Sequence, residues 1–171
     1  MYGGLMAYPN GANDNPYYLG SRDKPSPLTD AFDEEYFGGI VAAAKASLSA
    51  KALLATEQRI PGLGNGVLQD ILFLSGIHPA AKVSQLTDEQ LRTLYGNVKA
   101  VLKKMTDEGG RDTERDLHGR EGGYRTLLSR KTLPYPCPQC GGGITRKAYM
   151  GGNVYFCETC QPLGGAKGAS K

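Results

Sequence analysis

IPGLGNGVLQDILFLSGIHP, residues 60–79, sets Pro61, Gly62, Gly64 and Asn65 directly ahead of an apolar run. Val67, Leu68, Ile71, Leu72, Phe73 and Leu74 recur at helical spacing, and Gly76 and Pro79 close the run. A core helix needs no such entrance. A loop that brings its backbone up to an anion does, because glycine lets the main chain approach closely and a helix start offers free N–H groups. The spacing predicts a helix opening at Asn65, with the Asn65 amide as an added donor.

The pattern is helical on both sides of this stretch. Thr29 or Asp30 can cap a helix carrying Phe32, Tyr36, Ile40 and Val41, and Ser49 can cap a short one carrying Leu53 and Leu54. Thr87 with Gln90 three residues on forms a capping box. Leu91, Leu94, Val98, Val101, Leu102 and Met105 follow until Gly109-Gly110 stops the helix. Residues 111–133 read as a polar, basic loop with a short helix near 124–130. The fold class is mainly α, a helical bundle over 29–133 followed by a small two-stranded β zinc ribbon over 134–163. Residues 1–28 read as one strand, MYGGLMAY, and a breaker-rich linker. Residues 164–171 have a disordered composition.

The strongest pattern is CPQC at 137–140 and CETC at 157–160, sixteen residues apart. All four cysteines of the chain lie here, which suits a metal in a reducing compartment better than a disulfide framework. Zinc takes four thiolates tetrahedrally, so Cys137, Cys140, Cys157 and Cys160 are its predicted ligands. The segment between reads as strand, Gly-Gly-Asn turn, strand. It has too few large apolar side chains for a core, so the metal supplies the folding energy. Four protein ligands close the site, making one structural zinc.

Charge is unevenly placed. Residues 1–114 hold 11 basic against 14 acidic side chains, a net of −3, and residues 115–171 hold 9 against 3, a net of +6. A basic C-terminal third suggests a polyanion partner. No stretch reaches the roughly 20 apolar residues of a membrane span, and the start lacks a signal-peptide pattern. The expectation is a soluble, cytoplasmic monomer. Three readings of the Gly-x-Gly-Asn turn then compete. A dinucleotide site is set aside because the turn follows a helix and not a strand. A plain helix junction with Asn65 as N-cap stays open. A DNA-backbone site on a helix–turn–helix variant is the third, and the ribbon and basic charge favour it.

SAKALLATEQRIPGLGNGVLQDILFLSGIHP, residues 49–79, resembles the helix–two-turn–helix of the formamidopyrimidine-DNA glycosylase/endonuclease VIII family. Lys51, Gly62, Gly64, Asn65, Gly76, Ile77 and Pro79 match its pattern. EGGRDTERDLHGREGGY, residues 108–124, resembles the family's Gly-Gly segment and later Gly-Tyr. The cysteine pairs resemble its C-terminal zinc finger, down to Gln161 after the last Cys. The resemblance covers roughly residues 20–163 and implies base-excision repair: removal of oxidised bases from DNA and strand nicking as an AP lyase. The partner it implies is double-stranded DNA carrying an oxidised base or abasic site, with the damaged nucleotide flipped out.

In that family an N-terminal Pro and Glu carry the chemistry, whereas this sequence begins Met1-Tyr2-Gly3. The implied unit is the DNA-binding half, with residues 1–28 a residual strand and linker from an N-terminal β domain. No catalytic residue is assigned within it. The alternative is a stand-alone, non-catalytic, zinc-dependent DNA-binding module. The resemblance makes Lys51, Gly64, Asn65, Tyr124 and Asn153 the DNA contacts. Asn153 and Gly152 stand where the family carries a finger-tip Arg, and Arg146 and Lys147 are candidates to compensate. Arg111 and Arg115 are further candidates for phosphate. His78 reads as structural, and His118 has no assigned role.

Overall fold

The computed structural model describes residues 7–164. The expected strand at 1–8 and tail at 164–171 lie almost wholly outside these residues. Within the expected linker, Pro9–Gly11 form a 3-10 turn and Pro16–Arg22 form a helix, α1. Proline at the first helical position gives up no intrahelical bond, which is how a breaker-rich stretch starts a helix.

Four more helices follow. α2, Glu34–Ala43, is capped by Asp33, whose carboxylate accepts from Tyr36 N at 2.7 Å. The cap therefore lies three residues after the expected Asp30, and Phe32 is buried just ahead of the helix. α3, Ala50–Ala55, is capped by Ser49 as expected. α4, Leu68–Leu74, starts three residues later than the expected opening at Asn65. It ends in a Schellman motif: Gly76, at φ 64°, donates to Phe73 O at 3.0 Å, and Ile77 donates to Leu72 O at 3.0 Å. α5, Asp88–Asp107, carries the predicted capping box, with Gln90 N on Thr87 Oγ1 at 3.2 Å and Thr87 N on Gln90 Oε1 at 3.0 Å. No described helix is long and apolar enough to cross a membrane.

Phe32, Phe37, Leu53, Leu54, Ile60, Leu68, Ile71, Leu72, Leu94, Val98 and Met105 form one core between the helices. Phe73 leaves it. This residue of α4 packs with Leu128, Cys137 and Cys157 in a second, smaller cluster under the cysteine module. Strands β1, Thr145–Tyr149, and β2, Gly152–Phe156, pair antiparallel, with Tyr149 opposite Gly152. The connection is the two residues Met150 and Gly151, both at positive φ (48° and 73°). That geometry matches the twist of a hairpin. The expected Gly-Gly-Asn turn is thus shifted, and Gly152 and Asn153 belong to β2.

The expected helix at 124–130 is absent, and the segment runs as bends and turns. Side chains take its amides: Asp112 Oδ1 accepts from Thr126 N at 3.2 Å, and Asp70 accepts from Leu127 N at 2.9 Å and Leu128 N at 2.8 Å. Donors held this way cannot serve a helix ladder.

Candidate metal centre and turn–hairpin site

The four cysteine sulfurs lie within 4.8 Å of one another. Cys137 and Cys160 sulfurs are 3.8 Å apart, and those of Cys140 and Cys157 are 3.5 Å apart. A tetrahedron with metal–sulfur bonds of about 2.3 Å has edges of about 3.8 Å, so this donor set fits a tetrahedral thiolate metal. Gly141, at φ 75°, turns the first knuckle and donates to Cys137 O at 2.8 Å. The backbone N–H of Gly142 and the neighbouring thiols bring Cys140 down to about 7, towards the thiolate a metal needs.

Gln161 fastens this module to the helices. It is 0% exposed. Its amide donates to Ile77 O at 2.8 Å and accepts from Cys157 N at 3.1 Å. One side chain thereby joins the end of α4 to the second knuckle.

A second junction lies at the hairpin tip. The Asn65 amide donates to Asn153 O at 3.1 Å. Gln69, in the first turn of α4, donates to Asn65 O at 2.9 Å and Asn153 O at 3.2 Å, and accepts from Tyr155 N at 3.1 Å. Asn65 does not cap α4; its side-chain amide donates to the hairpin instead. Gly152 permits this approach, since a Cβ there would meet Asn65 Nδ2 at 3.1 Å. Gly64, Asn65 and Asn153 are exposed together at this edge.

Lys51 and Tyr124 are placed differently from the expectation. Lys51 is 3% exposed, its ammonium donates to Tyr149 O and to Met150 O, and burial lowers its pKa. It faces the carbonyls of the hairpin turn and not solvent. Tyr124 is also 3% exposed; burial and the nearby Asp70 charge both raise its pKa. Both lie beneath the surface: the hairpin turn covers Lys51, and Tyr124 packs against the helical core.

Asp70, 1% exposed, is the hub behind the turn. Burial pushes its carboxyl up, against the pull of the Leu127 and Leu128 amides, the Tyr124 hydroxyl and nearby Arg111. The two Gly-Gly pairs dovetail here. A Cβ on Gly122 would stand 2.6 Å from Arg111 N, one on Gly123 would stand 2.8 Å from Glu108 O, and Tyr124 N donates to Gly110 O at 3.0 Å.

Of the remaining candidates, Arg115 pairs with Glu121 at 2.8 Å, and His118 sits exposed in the same loop. Arg146 and Lys147 are exposed on β1. His78 accepts from Ala80 N at 3.0 Å and meets Phe156 edge-on at 4.4 Å. Sequence reading missed Gln69 and Asp70. Their signal was present: two polar side chains side by side in an otherwise apolar helical run, where burial demands partners.

The family model for the formamidopyrimidine-DNA glycosylase H2TH domain matches residues 24–116. A formamidopyrimidine-DNA glycosylase of Legionella pneumophila (strain Lens) is 34% identical over 168 residues, which is 94% of this chain and 58% of the relative. The chain thus spans less than two thirds of that relative's length. The MutM (Fpg) protein from Thermus thermophilus is similar in structure, with TM-score 0.78 at 29% identity, covering 91% of this chain and 59% of that one. Lactococcus lactis Fpg, solved in complex with an abasic site containing DNA, is similar with TM-score 0.71 at 27% identity, covering 85% of this chain and 53% of that one.

Proposed function

The chain belongs to the formamidopyrimidine-DNA glycosylase H2TH family, and from that premise we propose that it grips double-stranded DNA for a base-excision glycosylase and AP lyase acting on oxidised bases. The observation that carries the reading is the exposed edge where Gly64, Asn65 and Asn153 meet. Two chain segments 88 residues apart converge there on hydrogen-bonding groups with no side chain on Gly64 to keep a backbone phosphate away. The similar Lactococcus lactis protein was solved with abasic-site DNA, which supports the same class of partner.

In this reading Gly64, Asn65 and Asn153 touch phosphate. Lys51 and Tyr124 hold that surface in place from below, Lys51 through the hairpin carbonyls and Tyr124 through Asp70. Zinc is the metal we assign to Cys137, Cys140, Cys157 and Cys160. Bound there, it supplies a structural cross-link. The cysteines hold the hairpin ends together, so the tip is presented to the turn as a rigid element.

Phosphate contacts position a duplex without reading its sequence, and their strength falls with salt. The test is fluorescence anisotropy of a labelled duplex carrying one tetrahydrofuran abasic-site analogue, titrated with the 171-residue chain at two salt concentrations. Binding that weakens steeply with salt and is indifferent to flanking sequence is expected. Absence of binding at low salt sinks the reading.

A further inference from the structure

The turn at Asn65 continues into a glycine that the Asn65 contacts do not need. Gly66 is covered by the guanidinium of Arg111: a Cβ built on Gly66 would stand 2.5 Å from Arg111 Cζ. The backbone of Gly66 is not in the left-handed region, so conformation does not demand glycine there. Space does. Any side chain at 66 would displace Arg111.

Arg111 lies at the edge of the same surface as Asn65. Its side chain is 14% exposed, and its outward partner is Glu114, at 2.5 Å, whose side chain is 65% exposed. The buried Asp70 feels the Arg111 charge, which favours the carboxylate. The two carboxylates differ. Asp70 is fixed by two backbone amides, while Glu114 is a solvated side chain three residues along the same loop. The Glu114 end of the pair is solvated, so a phosphate can replace that carboxylate without a buried anion being uncovered. A guanidinium fork fits a phosphate as it fits a carboxylate.

We propose that Arg111 is a phosphate-binding residue of the turn, admitted by Gly66 and occupied by Glu114 as a stand-in anion until a DNA phosphate replaces it. The proposal rests on the DNA reading above and adds the cation that the Gly64–Asn65–Asn153 edge lacks. It makes Glu114 an internal competitor: removing its charge frees the arginine.

The test uses the full chain and the labelled abasic-analogue duplex. Arg111→Ala is expected to weaken binding about tenfold, the scale of one charge-assisted contact, and to flatten the log–log salt slope by about 0.9. Gly66→Ala should do the same, yet add nothing in the Arg111→Ala background. The clash is with the far end of a flexible side chain, so the fold is retained. Glu114→Gln should tighten binding about threefold in the native background and have no such effect beside Arg111→Ala. Arg111→Lys, which keeps the charge but not the fork, should retain the salt slope while losing affinity. Gly66→Ala and Arg111→Lys carry the test if Arg111→Ala fails to fold, and native affinity in both then overturns the proposal.

Native affinity and slope in a folded Arg111→Ala chain overturn the proposal. So does a Glu114→Gln gain of equal size in both backgrounds, which is mere removal of repulsion. Failure of the unmodified chain to bind the duplex is a distinct result: it sinks the DNA reading, and the inference falls with it.

Discussion

The side-chain amide of Asn65 donates to the backbone carbonyl of Asn153 at 3.1 Å, closing a loop of 88 residues between the helical turn and the hairpin tip. The bond makes the turn and the hairpin one surface. Its geometry depends on Gln69 below and on the cysteine module behind.

Gln69→Leu leaves Tyr155 N–H and Asn65 O without their partner at the heart of the junction. Unsatisfied buried groups cost about 1–3 kcal/mol each. We expect the unfolding free energy to fall by about 1–3 kcal/mol, seen as a lower chemical-denaturation midpoint with an unchanged slope. Duplex affinity should fall as well, because Asn65 and Asn153 lose their common anchor. A variant as stable as the native chain contradicts this role.

Lys51→Met removes the donor to Tyr149 O and Met150 O. Amide hydrogen exchange at 149–152 should accelerate while exchange in α5 stays slow. Burial lowers the Lys51 pKa below 10.5, so the folded state binds fewer protons than the unfolded chain between the two values. In that alkaline window native stability rises with pH relative to Lys51→Met. Equal pH dependence of the two proteins refutes a buried, desolvated ammonium.

Asp70→Asn replaces a carboxylate that accepts two backbone amides. One amide oxygen cannot accept both as well, and its NH2 group would face donors. A loss of about 3 kcal/mol is expected from urea unfolding. Burial raises the Asp70 pKa above 3.8, so the folded state holds its proton longer than the unfolded chain. Between 3.8 and the raised value, native stability therefore declines with rising pH relative to Asp70→Asn. The difference between the two unfolding curves across acidic pH isolates this group.

Purified protein should contain one zinc per chain, measured by atomic emission. Cys157→Ser should abolish it and melt the hairpin, while far-UV circular dichroism of the helices persists, because the two apolar clusters are separate. Gln161→Ala should leave zinc bound but speed its transfer to a chelator, since the knuckle loses its tie to Ile77 O. Stoichiometric zinc in Cys157→Ser would remove the four-thiolate assignment.

Local signals in the sequence determined a good part of this molecule. The capping box at Thr87 and Gln90, the cap at Ser49, the stop at Gly76 and the two cysteine pairs each act within a few residues, so each was legible. The family resemblance established which pieces belong together. Tertiary structure decided where side chains point across long separations. Lys51 and Tyr124 read as surface contacts, yet the hairpin covers the first and Asp70 draws in the second. The segment 124–130 has a helical pattern, but Asp70, 57 residues before Leu127, takes its amides. Gly66 looks like any turn glycine until Arg111 is seen lying on it. Spacing along a chain encodes periodicity and caps; partners that meet only after the chain has folded back are set by packing, because a buried polar group accepts whichever donor the fold brings to it.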